Sequence, residues 1–170
     1  NLLAVFGVAH HYEYKTSEIL KNLSHIKSAE GRFQHFKSTN NTHIIVDYAH
    51  TPDALNNVLS TINELSKNHN KLITVFGCGG ERDKEKRPIM TKIANDLSTH
   101  VIVTSDNPRS EDPEEIIRDM LTGLGNKDNK PLIIKDRKQA IREGYLMLKE
   151  NDVMLIAGKG HENYQEINKN

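Results

Sequence analysis

The sequence predicts an α/β fold: a Rossmann-like, doubly wound and mostly parallel sheet covered by helices on both faces. From residue 43 onward, five apolar runs of strand length are rich in β-branched residues. Segments with apolar residues at helical spacing separate consecutive runs. Strands that are apolar throughout are expected when helices cover both faces of a parallel sheet, with right-handed crossovers between the strands.

The predicted strands occupy residues 43–46, 72–76, 101–104, 132–134 and 153–157. A further strand is predicted at 33–37, after Gly31-Arg32-Phe33. Residues 1–30 lack this alternation and are expected to form one or two short helices, of which 15–23 is the clearer.

Four helices are predicted between the strands. Thr51 before Pro52, and Asp112 before Pro113, place a capping side chain ahead of a proline suited to the first turn. Pro88 is expected to start a helix in the same way. The buried stripes of the four helices are predicted as Leu55, Val58, Leu59, Ile62 and Leu65; Ile89, Met90, Ile93, Ala94 and Leu97; Ile116, Ile117, Met120 and Leu121; and Ala140, Ile141, Tyr145 and Leu148.

The composition indicates which kinds of partner the protein is not expected to bind. The 170 residues include 23 Lys plus Arg and 23 Asp plus Glu, so the formal net charge is +0 and a surface for nucleic acid is not expected. No apolar run reaches the ~20 residues that span a bilayer, so no membrane partner is expected. The length fits one main domain, and a monomer is expected.

The single cysteine, Cys78, excludes a disulfide framework and a cysteine-based zinc cluster. A reducing compartment, the cytoplasm, is therefore predicted, with Cys78 as a small packed residue. The chain starts at Asn1 and ends in the polar run Asn168 to Asn170, which suggests a piece of a longer protein.

Polar residues and glycines follow each predicted strand, and ligands of doubly wound sheets bind beyond the carboxyl ends of the strands. The loop after the second strand is rich in glycine, which suits either backbone binding of an anion or a tight turn. It lacks both the Walker lysine pattern and a complete G-x-G-x-x-G. The five loops are Asp47-Tyr48-Ala49-His50-Thr51-Pro52-Asp53, Gly77-Cys78-Gly79-Gly80-Glu81-Arg82-Asp83, Ser105-Asp106-Asn107-Pro108-Arg109, Asp136-Arg137 and Gly158-Lys159-Gly160-His161-Glu162.

Several side chains in these loops could bind a zwitterion. Asp106 or Asn107 could face an ammonium group while Arg109 holds a carboxylate, and the alternative is an ordinary proline turn at Pro108. Glu162 is either a second ammonium partner or a solvated carboxylate.

Three further loop residues have open alternatives. Arg82 could hold a carboxylate or phosphate, or pair with its acidic neighbours in sequence. Asp47 and His50 could meet a ribose, a metal or a phosphate, whereas an aspartate at a strand end is more often a structural acceptor. No metal site is predicted, because the pair His10-His11 has no third ligand near it.

The glycine-rich loop with Lys86-Arg87-Pro88, and the loops at 47–53, 106–109 and 158–162 with Gly31-Arg32-Phe33, resemble the carboxy-terminal domain of the Mur ligases. The resemblance covers residues 30–167 and is strongest to the members that add meso-diaminopimelate. Glu81 departs from the pattern, since many relatives carry aspartate there.

The resemblance implies an amide-forming ligase of bacterial peptidoglycan synthesis that uses ATP and Mg²⁺. ATP would phosphorylate the D-glutamate γ-carboxylate of UDP-MurNAc-L-Ala-D-Glu, and the amine of meso-diaminopimelate would attack the acyl phosphate. By resemblance, the nucleotide side is formed by Arg32, Asp47 and His50. The diaminopimelate site comprises Arg82, Asp106, Asn107, Pro108, Arg109, Gly158 and Glu162, with Arg109 on the distal carboxylate.

The resemblance also implies a domain division. Residues 1–30 are expected to be the remnant of a central ATP-binding domain and linker, and 31–170 a carboxy-terminal domain truncated at its end. The phosphate loop, Mg²⁺ ligands and modified lysine belong to the missing central domain. The chain alone is therefore expected to hold no catalytic residue, to bind ATP and Mg²⁺ at most weakly, and not to turn over. The alternatives are a stand-alone nucleotide or acidic-metabolite binding module and a structural domain used in assembly.

Overall fold

The computed structural model describes residues 2–26, 29–38, 40–65, 71–126 and 129–167. The terminal residues Asn1 and Asn168 to Asn170 lie outside this described part. Its strands are β1 Gln34–Lys37, β2 His43–Asp47, β3 Leu72–Phe76, β4 His100–Val103, β5 Leu132–Ile133 and β6 Val153–Ala157. Its helices are α1 Leu2–His11, α2 Thr16–Ser24, α3 Pro52–Leu65, α4 Lys86–Leu97, α5 Pro113–Leu121 and α6 Arg137–Leu146.

The strands form one sheet in the order β1-β2-β6-β3-β4-β5. Strands β2 to β6 are parallel, and β1 pairs antiparallel with β2 at one edge. The last strand in sequence, β6, lies between β2 and β3, so the chain returns through α6 to the centre of the sheet. The predicted α/β class with a mostly parallel sheet is confirmed.

Helices cover both faces of the sheet, but unequally. One core joins α3, α4 and α5 to the sheet, and a second joins α6 to the opposite face. Gly144 in α6 explains the close packing there: a Cβ at this position would lie 2.9 Å from the Met154 side chain and 3.2 Å from that of Ile102. A glycine costs helix stability, yet here it lets α6 approach the strands.

Helix starts are fixed by local hydrogen bonds. Thr51, Asp112 and Asp136 each accept a backbone N–H bond at the start of the following helix, at 3.3, 2.9 and 2.7 Å. The first two caps were predicted, and Asp136 was not. Pro88 is the third residue of α4, and Glu85 before that helix makes no side-chain cap, so the expected cap is missing there.

Some residues of the predicted stripes are exposed. Leu65, Ile89 and Tyr145 have exposed fractions of 73%, 50% and 49%, and both residues of the short edge strand β5 are exposed. Periodicity predicts which side of a helix is apolar, but not how far the sheet beneath it extends. These predictions of burial were wrong at the helix ends and at the sheet margin.

The first two helices pack mainly against each other. Helix α1 has no buried residue, and Ile19 is the buried residue of α2. In the described part of the chain, no helix combines the length and apolar character needed to cross a membrane.

Candidate functional site

A cleft of about 520 Å³ lies at the carboxyl ends of β2, β3, β4 and β6. The insertion of β6 between β2 and β3 brings the loop after β6 into the middle of this edge. Pro108, Arg32 and Asp47 do not line the cleft. The other predicted site residues do: Arg82, Asp106, Asn107, Arg109, Gly158, Glu162 and His50.

The glycine-rich loop packs directly on the loop after β4. A Cβ on Gly77 would lie 2.2 Å from Thr104 O, and one on Gly80 would lie 2.0 Å from Pro108 O. The Gly80 N–H donates to Asn107 O at 2.9 Å. Neither glycine has a positive φ. These glycines therefore allow two loops to pack closely, which favours the tight-turn interpretation over a backbone site for an anion.

Asn107, Lys159 and Glu162 form a buried polar cluster. The Lys159 ammonium donates to Asn107 Oδ1 at 2.7 Å and to Glu162 Oε2 at 2.9 Å. The amide of Asn107 also donates to Glu162 Oε2, at 3.1 Å. Only 7% of Lys159 and 6% of Asn107 is exposed. No function was predicted for Lys159, because its position between two glycines gives no signal of burial.

Glu162 is held as a carboxylate at the base of this cluster. Partial burial alone would raise its pKa, but hydrogen bonds from Lys159, Asn107 and the Tyr48 hydroxyl outweigh that effect and lower the pKa. The Tyr48 O–H donates to Oε1 at 3.2 Å. Glu162 is thus an ionised group in the wall of the cleft, paired with Lys159, rather than a solvated surface carboxylate.

Arg109 is fixed by the backbone around it. Its Nη1 donates to Gly80 O at 2.8 Å and to Asn107 O at 3.4 Å, and its Nε pairs with Glu166 Oε2 at 2.8 Å. Within the described residues, Nη2 makes no hydrogen bond. The φ of Arg109 is +54°, a left-handed conformation uncommon for a residue with a side chain. A guanidinium held on two nitrogens can offer the third to an anion in the cleft.

Arg82 and Asp106 complete the polar wall. Arg82 is exposed, and its guanidinium donates to the backbone oxygen of Glu81 at 3.4 Å. Asp106 Oδ1 accepts from the Asn107 N–H at 2.7 Å, as expected for an acceptor in a turn. Gly158, with φ +111°, is close enough that a Cβ would lie 2.9 Å from Asp106 Oδ2.

Two of the three residues expected to face a nucleotide, Arg32 and His50, lie beside Tyr48. The guanidinium carbon of Arg32 lies 4.7 Å from the centre of the Tyr48 ring, and the His50 ring centre lies 4.8 Å from it. Asp47 Oδ2 instead accepts the Phe33 N–H at 2.7 Å, so this carboxylate has a structural bond. Burial is the larger cause that raises the pKa of the Tyr48 hydroxyl, and its hydrogen bond to Glu162 raises the pKa further. No function was predicted for Tyr48.

Arg87 is a buried residue that connects the glycine-rich loop of the cleft to the helices behind it. This side chain is fully buried and pairs with Glu111 at 3.0 Å and Asp119 at 2.8 Å, while it donates to Gly79 O at 3.3 Å. It therefore ties α4 and α5 to the glycine-rich loop.

Cys78 is 3% exposed, and burial raises the pKa of its thiol to about 12, as expected for a packed thiol.

Among residues 2–26, 29–38, 40–65, 71–126 and 129–167, no three His, Cys, Asp or Glu side chains converge as a metal site would require.

Comparison with known proteins connects this geometry to a family. The model of the family described as "Mur ligase, glutamate ligase domain" matches residues 31–160. A relative from Bacteroides thetaiotaomicron, named UDP-N-acetylmuramoyl-L-alanyl-D-glutamate--2,6-diaminopimelate ligase, is 54% identical over 168 residues, which are 98% of this chain and 35% of the relative. A protein of the same name from Fusobacterium nucleatum is 48% identical over 167 residues, with 98% of this chain and 34% of that protein covered. The chain spans about a third of the length of these relatives.

Solved structures agree with the sequence matches. A solved structure of a protein with the same ligase name has a TM-score of 0.74 at 43% identity, and the match covers 97% of this chain and 33% of that one. UDP-N-acetylmuramate-alanine ligase from Thermotoga maritima has a TM-score of 0.70 at 27% identity, covering 92% of this chain and 33% of that one. Because the family model covers most of the chain and both the sequence and the fold match over nearly all of it, this chain belongs to the Mur ligase family.

Proposed function

We propose that the protein containing this chain is an ATP-dependent ligase that joins meso-diaminopimelate to UDP-MurNAc-L-Ala-D-Glu during peptidoglycan synthesis in the cytoplasm. Relatives over 50% identical to the chain are named as this ligase. The observation that carries the proposal is the presence of two opposite charges in one cleft, Arg109 and Glu162, each held in place by an ion pair with a residue of the chain.

A diamino dicarboxylic acid matches these charges. Arg109 would bind the distal carboxylate through Nη2, while Glu162 and Asp106 attract an ammonium group. Asn107 holds Glu162 in place, and the exposed Arg82 is available to a second carboxylate. Lysine lacks the distal carboxylate and would leave Arg109 without its partner. The cleft would therefore select diaminopimelate by charge.

The chain would contribute binding and orientation to the reaction. Phosphorylation of the D-glutamate γ-carboxylate requires ATP and Mg²⁺, which would be held mainly by the rest of the protein. Arg32 and His50 flank Tyr48 in a cationic, aromatic surface that suits a nucleotide. The amine of diaminopimelate, held in the cleft, would attack the acyl carbon, and phosphate would leave as the amine loses a proton. The isolated chain would not turn over.

Residues 1–30 would belong to the preceding ATP-binding domain and the linker from it. The family model begins at residue 31. Helix α1 buries no residue within the described chain, and its exposed apolar side chains include Leu3 and Val8. Such a helix is expected to pack on another part of the protein.

The test is amino-acid-dependent phosphate release by the full-length protein, with meso-diaminopimelate compared with lysine. The wild type should strongly prefer diaminopimelate. Arg109→Ala should reduce that preference by about 10- to 100-fold, since a charged hydrogen bond contributes roughly 1.5–3 kcal/mol. Arg118→Ala, which removes an exposed arginine of α5, is the matched control and should leave the preference unchanged.

Two outcomes would contradict the proposal. One is a wild-type enzyme that uses lysine as well as diaminopimelate, and the other is unchanged selection in Arg109→Ala. Binding of ATP by the full-length protein without any discrimination between amino acids would favour a nucleotide-binding module instead.

A further inference from the structure

We propose that Glu166 is a positioning residue that fixes the orientation of Arg109 in the cleft. The inference rests on the proposed function, in which Arg109 receives the distal carboxylate of the amino acid. Glu166 lies outside the predicted motifs, after the end of the loop at 158–162.

The backbone near Glu166 forms a strap, residues 165–167, over the loop after β4. The Arg109 N–H donates to Glu166 O at 3.0 Å, and the Glu166 N–H donates to Asn107 Oδ1 at 2.9 Å. Arg109 and Ile167 also pair as an isolated parallel bridge. The strap thus holds both the main chain of Arg109 and the side chain of its neighbour Asn107.

The side chain of Glu166 acts on the guanidinium itself. Its Oε2 lies 2.8 Å from Arg109 Nε, and Gly80 O accepts from Nη1 at 2.8 Å on another nitrogen. Because the guanidinium is planar, fixing two nitrogens fixes the direction of the third. Arg109 is nearly buried, with 12% of its side chain exposed, whereas 42% of the Glu166 side chain is exposed.

Arg109 needs this support for two reasons. Its φ of +54° is unfavourable for a residue with a Cβ, so the backbone bond to the strap helps to hold that conformation. Its side chain is long and flexible, and ordering it before the substrate arrives removes a cost from binding. Glu166 would therefore strengthen binding of the distal carboxylate without touching it.

Glu166 could instead compete with the substrate for the positive charge of Arg109. The geometry favours positioning, because Glu166 pairs with Nε and leaves Nη2 available. Water also reaches the half-exposed Glu166 carboxylate and screens its repulsion of a second anion. The two effects have opposite signs: loss of Glu166 weakens substrate binding if it positions Arg109 and strengthens binding if it competes.

The experiment measures kcat, and KM for meso-diaminopimelate and for ATP, in the full-length protein. Glu166→Ala should raise KM for diaminopimelate about tenfold, near the upper end of the cost of ordering one flexible side chain. Its kcat should stay within about threefold and its KM for ATP should not change, because the nucleotide side is separate. Glu166→Gln should restore KM to within about threefold of wild type, since its amide oxygen can still accept from Nε.

Asp96→Ala is the matched control, because Asp96 is an exposed acid of α4 in a pair with Lys92 at 2.8 Å. Its kinetic constants should equal those of wild type. If Glu166→Ala leaves the KM for diaminopimelate unchanged or lowers it, in an enzyme that prefers diaminopimelate to lysine, Glu166 does not position Arg109. The proposed function would still stand. A Glu166→Gln variant as weak as Glu166→Ala would overturn the positioning hydrogen bond. A wild-type enzyme without that preference would overturn the proposed function, and the inference with it.

Discussion

Replacing the buried Arg87 by methionine should destabilise this chain strongly. The guanidinium has no exposed surface and bonds to Glu111, Asp119 and the backbone oxygen of Gly79. Methionine fills part of the same volume but cannot donate a hydrogen bond. The change therefore removes the Arg87 partner of Asp119 and of the Gly79 carbonyl, and it leaves Glu111 with the Glu81 N–H and Lys84 as its remaining partners.

The expected loss follows from the exposure of those partners. Removal of one member of a buried ion pair costs about 3–5 kcal/mol, mostly because the remaining charge is buried and unpaired. Here 17% of the Glu111 side chain and 44% of the Asp119 side chain is exposed, so water solvates part of both charges. The lower limit, about 3 kcal/mol, is the expected loss for Arg87→Met. For a chain of this size it corresponds to a fall in Tm of roughly 6–12 °C.

Urea denaturation of the chain, followed by circular dichroism, measures this loss. Lys92→Met is the matched control, because Lys92 is a cation of the same helix in an exposed pair with Asp96. Its loss should stay below about 1 kcal/mol. A loss for Arg87→Met no larger than that of the control would refute the argument that the buried guanidinium network stabilises the fold.

Acid unfolding provides a second measure of the same network. Partial burial alone would raise the pKa of Glu111, but the bonds from the Glu81 N–H, Arg87 and Lys84 lower it. A carboxyl group whose pKa is lowered by folding adds stability above its unfolded pKa, about 4.3, and this stability is lost as the pH falls through the folded pKa. Wild type should therefore lose stability below about pH 4.5, and Arg87→Met should lose less over the same range.

Two further predictions concern the glycine-rich loop. Gly80→Ala should destabilise the chain by about 1–3 kcal/mol in denaturant unfolding, because the added Cβ would lie 2.0 Å from Pro108 O. Gly7→Ala is the control and should be neutral or stabilising, because a Cβ there has nothing within 4 Å. Equal stability of the two variants would contradict the close packing of the loops. Cys78, with a pKa of about 12 and 3% exposure, should resist alkylation at pH 8 in the folded chain and react in urea, as followed by mass spectrometry, and rapid labelling without urea would contradict its burial.

Local features of the fold could be predicted because a few neighbouring residues determine them. Thr51 and Asp112 cap helices through bonds to amides two or three residues ahead. The apolar runs became strands because they suit a sheet buried on both faces. The crowding of polar loops at one edge also follows from the sequence, since the carboxyl ends of parallel strands meet there.

The neighbours of each strand could not be predicted in this way. Strand β6 is last in the chain, yet Leu155 pairs with both Ile45 and Thr74 in the middle of the sheet. Periodicity describes how a segment is buried and says nothing about which strand lies beside it. The position of β6 brings Lys159 to Asn107, a residue 52 positions earlier in the chain. Lys159, for which no function was predicted, therefore lies at the centre of a polar cluster.

The sequence by itself determined the α/β class, the polar edge of the sheet and the set of residues, Arg109 and Glu162 among them, that could bind a zwitterion. Only the tertiary structure decided the partners of these residues: Lys159 beside Glu162, and Glu166 on Arg109. The physical reason is the range of the interactions. Helix caps and apolar periods are set within one or two turns of chain, whereas burial of a charge and its pairing depend on segments that meet only when the sheet has assembled.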